Sequence, residues 1–302
     1  MIWTTRLVSD SCVKARTKDG TAYDIQGPAG ASAIVLIHGL GLCRDLWSPH
    51  LDALSQSYRV ISYDLFGHGD SAPLPETNLP SIGSEQTRST DDTSQASLSV
   101  YADQLATLLD HLALDQAAVV GFSIGGMINR RFAMDYADRV SALVILNSPH
   151  NRGEQLQTQV EQRAKKVVNE GVMATLPDAL KRWFTAEYLD NQLRHSEQDR
   201  HGADLVKSWR EKVDASSYAQ AAWVLANGVR ELITPVIAID APTLVMTCEN
   251  DSGSTPAMSR DIAAEIHGAQ CQIVPSLQHL GLMQEPDAFV QPILTFLDGN
   301  LI

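Results

Sequence analysis

Residues 116–137 read QAAVVGFSIGGMINRRFAMDYA, and the reading of this stretch decides the fold. Ala117 to Val120 is a short apolar run of the kind that forms a buried strand. Directly after it, Ile124, Ile128, Phe132 and Tyr136 recur at helical spacing, so a helix follows with almost no connection. Ser123 therefore stands at a strand-to-helix turn, inside Gly121-Phe122-Ser123-Ile124-Gly125. A turn this sharp strains the serine backbone and crowds the positions two residues to either side, where the glycines fall. The setting is that of a nucleophile elbow. Its hydroxyl is lifted clear of the sheet, at a helix N-terminus whose free N–H groups favour negative charge.

The same alternation extends in both directions. Ser32 to Ile37 is a β-branched run suited to a strand buried on both faces, and it ends at His38-Gly39-Leu40-Gly41. Trp47, Leu51 and Leu54 share a helical face, and Tyr58 to Leu65 predicts a strand leading into Phe66-Gly67-His68-Gly69-Asp70-Ser71. Trp3 to Thr17 and Thr21 to Gln26 read as an antiparallel pair at the sheet edge, turning at Asp19-Gly20. Leu98, Tyr101, Leu105, Leu108 and Leu112 mark an amphipathic helix before the elbow strand. Beyond the elbow, strands are predicted over Val140 to Asn147, Thr243 to Cys248 and Gln270 to Val274. A helix over Pro256 to His267 opens at Thr255-Pro256, and a final helix starts at Pro286 with a kink or break at Pro292. Strand alternating with amphipathic helix predicts an α/β fold with a mostly parallel, doubly wound sheet.

Two stretches interrupt the rhythm. Pro73 to Ala96 is rich in proline, serine, threonine and acid without usable periodicity, which predicts a long surface loop. Residues 149–231 contain no strand-like run, whereas Leu176, Leu180 and Trp183 or Phe184, and likewise Leu205, Trp209 and Val213, share helical faces. The expected organisation is a core of residues 1–148 and 232–302 carrying an inserted helical cap, 149–231. Three of the five tryptophans, Trp183, Trp209 and Trp223, lie in that cap, and packing is the role expected of them.

With 23 basic and 36 acidic residues and a net charge of −13, the chain is a poor match for nucleic acid or an anionic membrane. The opening MIWTTRLVSDSC has no apolar signal core, and no stretch approaches the ~20 apolar residues of a membrane span. Cytoplasmic residence and a small-molecule partner are the expectations; no oligomeric state is indicated. Cys12, Cys43, Cys248 and Cys271 are scattered without Cys-x-x-Cys spacing, so buried free thiols are expected, not a metal site or a disulfide framework.

A serine hydroxyl needs a base to become a nucleophile, and the base needs an orienting carboxylate. Asp251 follows the strand TLVMTC by three residues, at a strand's carboxyl end where α/β sheets place their ligands, with Glu249 as a neighbouring rival. His279 lies in the loop SLQHLGL after the last strand. The order Ser123, Asp251, His279 suits a triad in which His279 takes the serine proton and Asp251 orients the imidazole. The oxyanion formed on attack needs two donors, each contributing about 2.7–4 kcal/mol to the transition state. The backbone N–H groups of Ile124 and Leu40 are the expected pair. His150 is a further candidate to face the pocket, while His38 and His68 are expected to shape their loops. Arg44 and Arg182 are candidate anchors for a substrate carboxylate, with a plain surface role as the alternative.

HGLG, DLFGHGDSA, GFSIGG, CENDSGSTP and QHLGLMQEPDAF, in this order and spacing, resemble the α/β-hydrolase superfamily across nearly the whole chain. LWSPHLDALSQSYRVISYD, GFSIGGMINRRFA and LKRWFTAEYL are similar to stretches of 3-oxoadipate enol-lactonases and related small-substrate hydrolases. Those lactonases usually carry Asn-Ser where this chain has His38-Gly39, and arginine where Phe66 stands. The resemblance implies an α/β-hydrolase fold and a serine hydrolase, free of cofactor and metal, that cleaves a small ester or lactone. Carbon–carbon bond hydrolysis of vinylogous diketones is the alternative within the fold. A ligand receptor retaining the triad is an alternative outside catalysis.

Overall fold

The computed structural model describes residues 12–75, 96–191, 202–233 and 237–301. Eight strands form one sheet: β1 (Val13–Arg16), β2 (Ala22–Gln26), β3 (Ala33–Ile37), β4 (Arg59–Tyr63), β5 (Ala117–Phe122), β6 (Val140–Leu146), β7 (Thr243–Cys248) and β8 (Gln270–Val274). Their order is β1-β2-β4-β3-β5-β6-β7-β8. The β1–β2 and β2–β4 pairings are antiparallel, and every pairing from β4 through β8 is parallel, which is the expected doubly wound α/β sheet. The edge hairpin turns through Gly20, whose φ of +86° suits glycine. Residues 3–11 of its first expected strand lie outside the described residues.

The order places a switch point beside the elbow. β3 lies between β4 and β5, so the winding reverses there and opens a crevice at the carboxyl ends of β3 and β5, where open α/β sheets receive ligands. Ile37 pairs with Gly121, and Gly121 with Ile145, so the residues after these strands emerge side by side. Alternation along the strands fills both faces. Val35, Ile37 and Val119 join Leu105, Leu108, Ile128 and Phe132 of helices Leu98–His111 and Ile124–Asp135 on one side. Ile34, Leu36, Ala118 and Val120 join Trp47, Leu54, Phe289 and Ile293 on the other.

The final helix runs over Asp287–Leu301 with Pro292 inside it, so of the kink or break expected there the break does not occur. Burial of Phe289, Val290, Ile293, Phe296 and Leu297 on its inner face offsets the amide hydrogen that proline lacks. Among the described residues, the chain between β6 and β7 contains helices only. Helices Gly153–Glu170 and Ala215–Asn227 pack through Val160, Ala164 and Val167 against Tyr218, Ala219 and Ala222. The expected boundary between residues 231 and 232 falls inside helix Val229–Ile233, whose Val229 and Leu232 are buried in the core of the sheet.

Residues 76–95 of the expected loop 73–96 lie outside the described residues. Its described ends are mixed: Pro73 and Pro75 are exposed, whereas Leu74 and Ala96 are buried, and the Leu74 N–H donates to Ser217 Oγ at 2.9 Å. Cys43 and Cys248 are buried free thiols as expected, but Cys271, on the edge strand β8, is exposed. No helix among the described residues is long and apolar enough to cross a membrane.

Candidate active site

Ser123 sits between β5 and helix Ile124–Asp135 with φ 58° and ψ −115°, a conformation that L-residues rarely adopt. Its N–H donates to Leu146 O at 2.8 Å, tying the turn to β6. A Cβ at Gly121 would lie 2.1 Å from Gly125 O, and one at Gly125 would lie 2.6 Å from Ile37 O. The two flanking glycines are therefore demanded by backbone passing against backbone, as the motif implied.

Asp251 follows β7 and is buried, with both carboxylate oxygens occupied. Oδ1 accepts from the N–H groups of Gly253 and Ser254, each at 2.9 Å. Oδ2 accepts from Asn147 Nδ2 at 2.9 Å and from His279 Nδ1 at 2.6 Å. Burial alone would raise the carboxyl pKa, but His279 and these donors outweigh it and hold the group below its ordinary value. A carboxylate can only accept, so His279 must carry its proton on Nδ1, which leaves Nε2 as the basic nitrogen of the neutral ring. The rival Glu249 is exposed and accepts the Ser276 N–H at 2.9 Å, on the surface beside β8. Asn147 escaped the sequence reading. It directly follows β6 with φ 46°, and the only signal was a polar side chain at the carboxyl end of a central strand.

Ser123, Asp251 and His279 all line one cavity of about 120 Å³, together with Gly39, Leu40 and Phe122. That is slightly smaller than a cavity of roughly 150 Å³ that admits benzene, so a single small ring or a short chain fills it. Helices from residues 153–227 close the opposite side, with Val160, Ala179, Trp183, Tyr218 and Leu225 on the wall. The Trp183 ring lies 6.0 Å from that of His279, centroid to centroid. Of the three tryptophans expected to pack, Trp209 is buried in the core, Trp223 packs between helices, and Trp183 packs against the core while also lining the cavity. The segment is seated by the Leu280 N–H on Trp183 O at 2.8 Å and the Asp214 N–H on Gly67 O at 2.9 Å.

Leu40 stands on the cavity wall in the loop after β3, and Ile124, the residue after Ser123, begins the elbow helix. His38 supports that loop from below: its Nδ1 bonds to Gly39 O at 2.7 Å and its Nε2 accepts the Leu65 N–H at 3.0 Å. His68 packs beside it, ring centroids 5.3 Å apart. Neither lines the cavity. His150 does not reach it either, being buried between Arg130 Nη1 at 3.4 Å and Glu265 Oε1 at 3.0 Å. Arg44 is neither anchor nor surface residue: it is buried in ion pairs with Asp24, Asp64 and Asp70. Arg182 does line the cavity.

Burial pushes His38 and His50 down to about 4 and His68 to about 3. Their unfolded value is near 6.5. Below that pH the unfolded chain binds protons that the folded chain refuses, so each histidine lowers stability by about 1.4 kcal/mol per pH unit until its folded value is reached. The urea midpoint should be level above pH ~7 and fall steeply between about 6 and 4.5. A midpoint unchanged between pH 7.5 and 5 would contradict the neutral burial of these rings.

The chain belongs to the α/β-hydrolase family, whose profile, described as the alpha/beta hydrolase fold, matches residues 32–286. It is 26% identical over 265 residues to (E)-2-((N-methylformamido)methylene)succinate hydrolase of Acinetobacter baylyi, covering 88% of this chain and 90% of that protein. It is 26% identical over 273 residues to 3-oxoadipate enol-lactonase 1 of the same organism, covering 89% and 90%. Among solved structures, the enol-lactonase from Burkholderia xenovorans superposes with a TM-score of 0.77 at 26% identity, covering 95% of this chain and 100% of that one. The chain is accordingly a hydrolase.

Proposed function

We propose that this hydrolase opens a small ester or lactone through an acyl-enzyme on Ser123, using only groups of its own chain. The observation that carries the reading is the 2.6 Å bond between His279 Nδ1 and a fully satisfied Asp251, on the wall of the cavity that Ser123 lines. His279 Nε2 takes the proton as Ser123 Oγ attacks the carbonyl carbon, and the resulting oxyanion is received by the Leu40 and Ile124 N–H groups. Collapse expels the alkoxide, which recovers the proton from His279; in a lactone it stays tethered to the acyl group. Water, activated by the same imidazole, then releases the acid. Asp251 stabilises the imidazolium formed in each half. Residues 149–231 serve as the cap, keeping water from the intermediate and limiting substrate size. The small cavity and the relatives named as enol-lactonases support a compact substrate over a long acyl chain.

An activated short-chain ester should release close to one equivalent of leaving group before the steady state when deacylation is the slower step. Mass spectrometry of quenched enzyme should place the acyl group on the peptide containing Ser123. An acyl group found elsewhere would overturn the assignment. So would a hundredfold preference in kcat/KM for a dienone carbon–carbon substrate over a panel of lactones and esters. A tight ligand with no turnover of any substrate would favour a receptor.

A further inference from the structure

The cavity's charge is opposite in sign to that of the chain. The whole sequence carries a net charge of −13. Yet the cavity is lined by four arginines, Arg152, Arg163, Arg182 and Arg210, and by a single acidic residue, Asp251. Asp251 is already committed to His279, Asn147 and two backbone N–H groups. Among the described residues, none of the four guanidinium groups pairs with a carboxylate.

Their surroundings differ. Arg152 is occupied, capping Leu225 O at 2.8 Å and Ala226 O at 3.2 Å at the end of helix Ala215–Asn227. Arg182 spends one nitrogen on Asp178 O at 2.9 Å, one turn back in its own helix. Arg163, half-buried, has no hydrogen bond to any described residue. Burial disfavours the charge on both Arg163 and Arg182, Arg182 disfavours that on Arg163 further, and Asp178 only partly offsets the burial of Arg182, so both pKa values lie below the ordinary arginine range. Arg210 is 1% exposed, its guanidinium carbon 4.7 Å from the Tyr218 ring and 5.5 Å from that of Trp183. Among the described residues its Nε has no partner, and its one hydrogen bond is a long 3.4 Å contact to Val172 O. It also presses against the loop that holds Leu40: a Cβ at Gly41 would lie 2.2 Å from Arg210 Nε.

Burying like charges without counter-ions is costly, and surface arginines are normally satisfied by water or an acid. Where several converge on a cavity, an anion that enters is desolvated against donors already in place. We propose that the substrate carries a carboxylate remote from the scissile carbonyl, and that Arg163 and Arg182 are the specificity-determining residues that grip it. Arg210 adds a fixed positive field between that subsite and the loop of Leu40. This inference rests on hydrolysis at Ser123 for its chemistry, but the binding it requires is separately measurable.

The test compares monomethyl with dimethyl esters of succinate, glutarate and adipate, which differ only in whether the remote group is charged. With the diester corrected for its two ester groups, kcat/KM should favour the best monoester by about a hundredfold, most of it in KM. The double substitution Arg163→Gln with Arg182→Gln should cut that preference at least tenfold, and the matching lysine pair should keep part of it. Both positions are half-buried; Arg210 is left intact because its side chain packs Gly41, Trp183 and Tyr218. Binding of the three free diacids to Ser123→Ala by calorimetry supplies the readout without turnover, and it should weaken at least tenfold in the arginine-to-glutamine background. Diesters turned over as well as every monoester, with none of the diacids bound, would overturn the carboxylate subsite while leaving the Ser123 reading standing. Diacid binding that depends on Arg163 and Arg182, with no ester hydrolysed, would support the subsite and sink the hydrolysis of esters instead.

Discussion

Replacing Ser123 with alanine is expected to lower kcat by roughly a millionfold, His279→Ala by about as much, and the two together by scarcely more than either alone. In the proposed mechanism nucleophile and base act as one unit: without the base the hydroxyl keeps its proton, and without the hydroxyl the base has nothing to activate. The fold should survive both changes. The turn at Ser123 is held by its N–H on Leu146 O, which alanine retains, and His279 is one member of a loop also tied down by the Leu280 N–H on Trp183 O. Rates for the two single variants and the double variant close a thermodynamic cycle. If the double variant loses a second factor comparable to the first, the two contributions are independent and the pairing is wrong.

Asp251→Asn is expected to cost about four orders of magnitude in kcat with little change in structure. The hydrogen bonds force this outcome. The N–H groups of Gly253 and Ser254 require an oxygen where Oδ1 now lies, so the new amide must turn its NH2 toward His279 and Asn147. Asn147 can adapt by rotating its own amide, because its Oδ1 has no partner among the described residues. His279 can adapt only by accepting at Nδ1, which moves its proton to Nε2 and removes the lone pair that would deprotonate Ser123. Nitrogen NMR of the imidazole should report that tautomer exchange alongside the loss of rate. A variant of near-normal activity, or one with an unchanged tautomer, would show that Asp251 does not orient the ring.

How much of this was legible depended on whether backbone or tertiary path decided it. The elbow could be read because Gly121 and Gly125 are required by contacts within and beside the turn itself. Asp251 could be preferred to Glu249 because the end of a strand fixes how far the chain travels before it enters the crevice. His279 followed from order alone. Asn147 could not be read, since its role depends on a loop more than a hundred residues later and its positive φ leaves no mark in the sequence. Arg44 was misjudged for a similar reason: its acids Asp24, Asp64 and Asp70 come together only when β2, β4 and the following loop are assembled. The arginines of residues 149–231 were the least legible, because a charged residue on an amphipathic helix reads as solvated until the helix is laid over a cavity. Of these only Arg182 was singled out. Arg163 and Arg210 look, in sequence, like ordinary exposed helix residues, and Pro292 reads as a kink or a break because helix context cannot be weighed against tertiary burial beforehand.

The two seams that seat the helical segment have a consequence for anyone wishing to re-engineer selectivity. One runs from Trp183 O to the residue after His279, and the other from Asp214 to the Gly67 loop, while Arg210 leans on Gly41 beside the Leu40 N–H. If the proposed function holds, selectivity and reactivity are thus not separate modules that can be exchanged by cutting at residues 149 and 231. A transplanted roof would have to bring its own matching footings at residues 39–42, 66–71 and 279–281. Library designs that vary the lining while holding those three loops and their partners constant preserve the alignment of Ser123, Asp251 and His279; designs that swap the roof whole alter it along with the cavity.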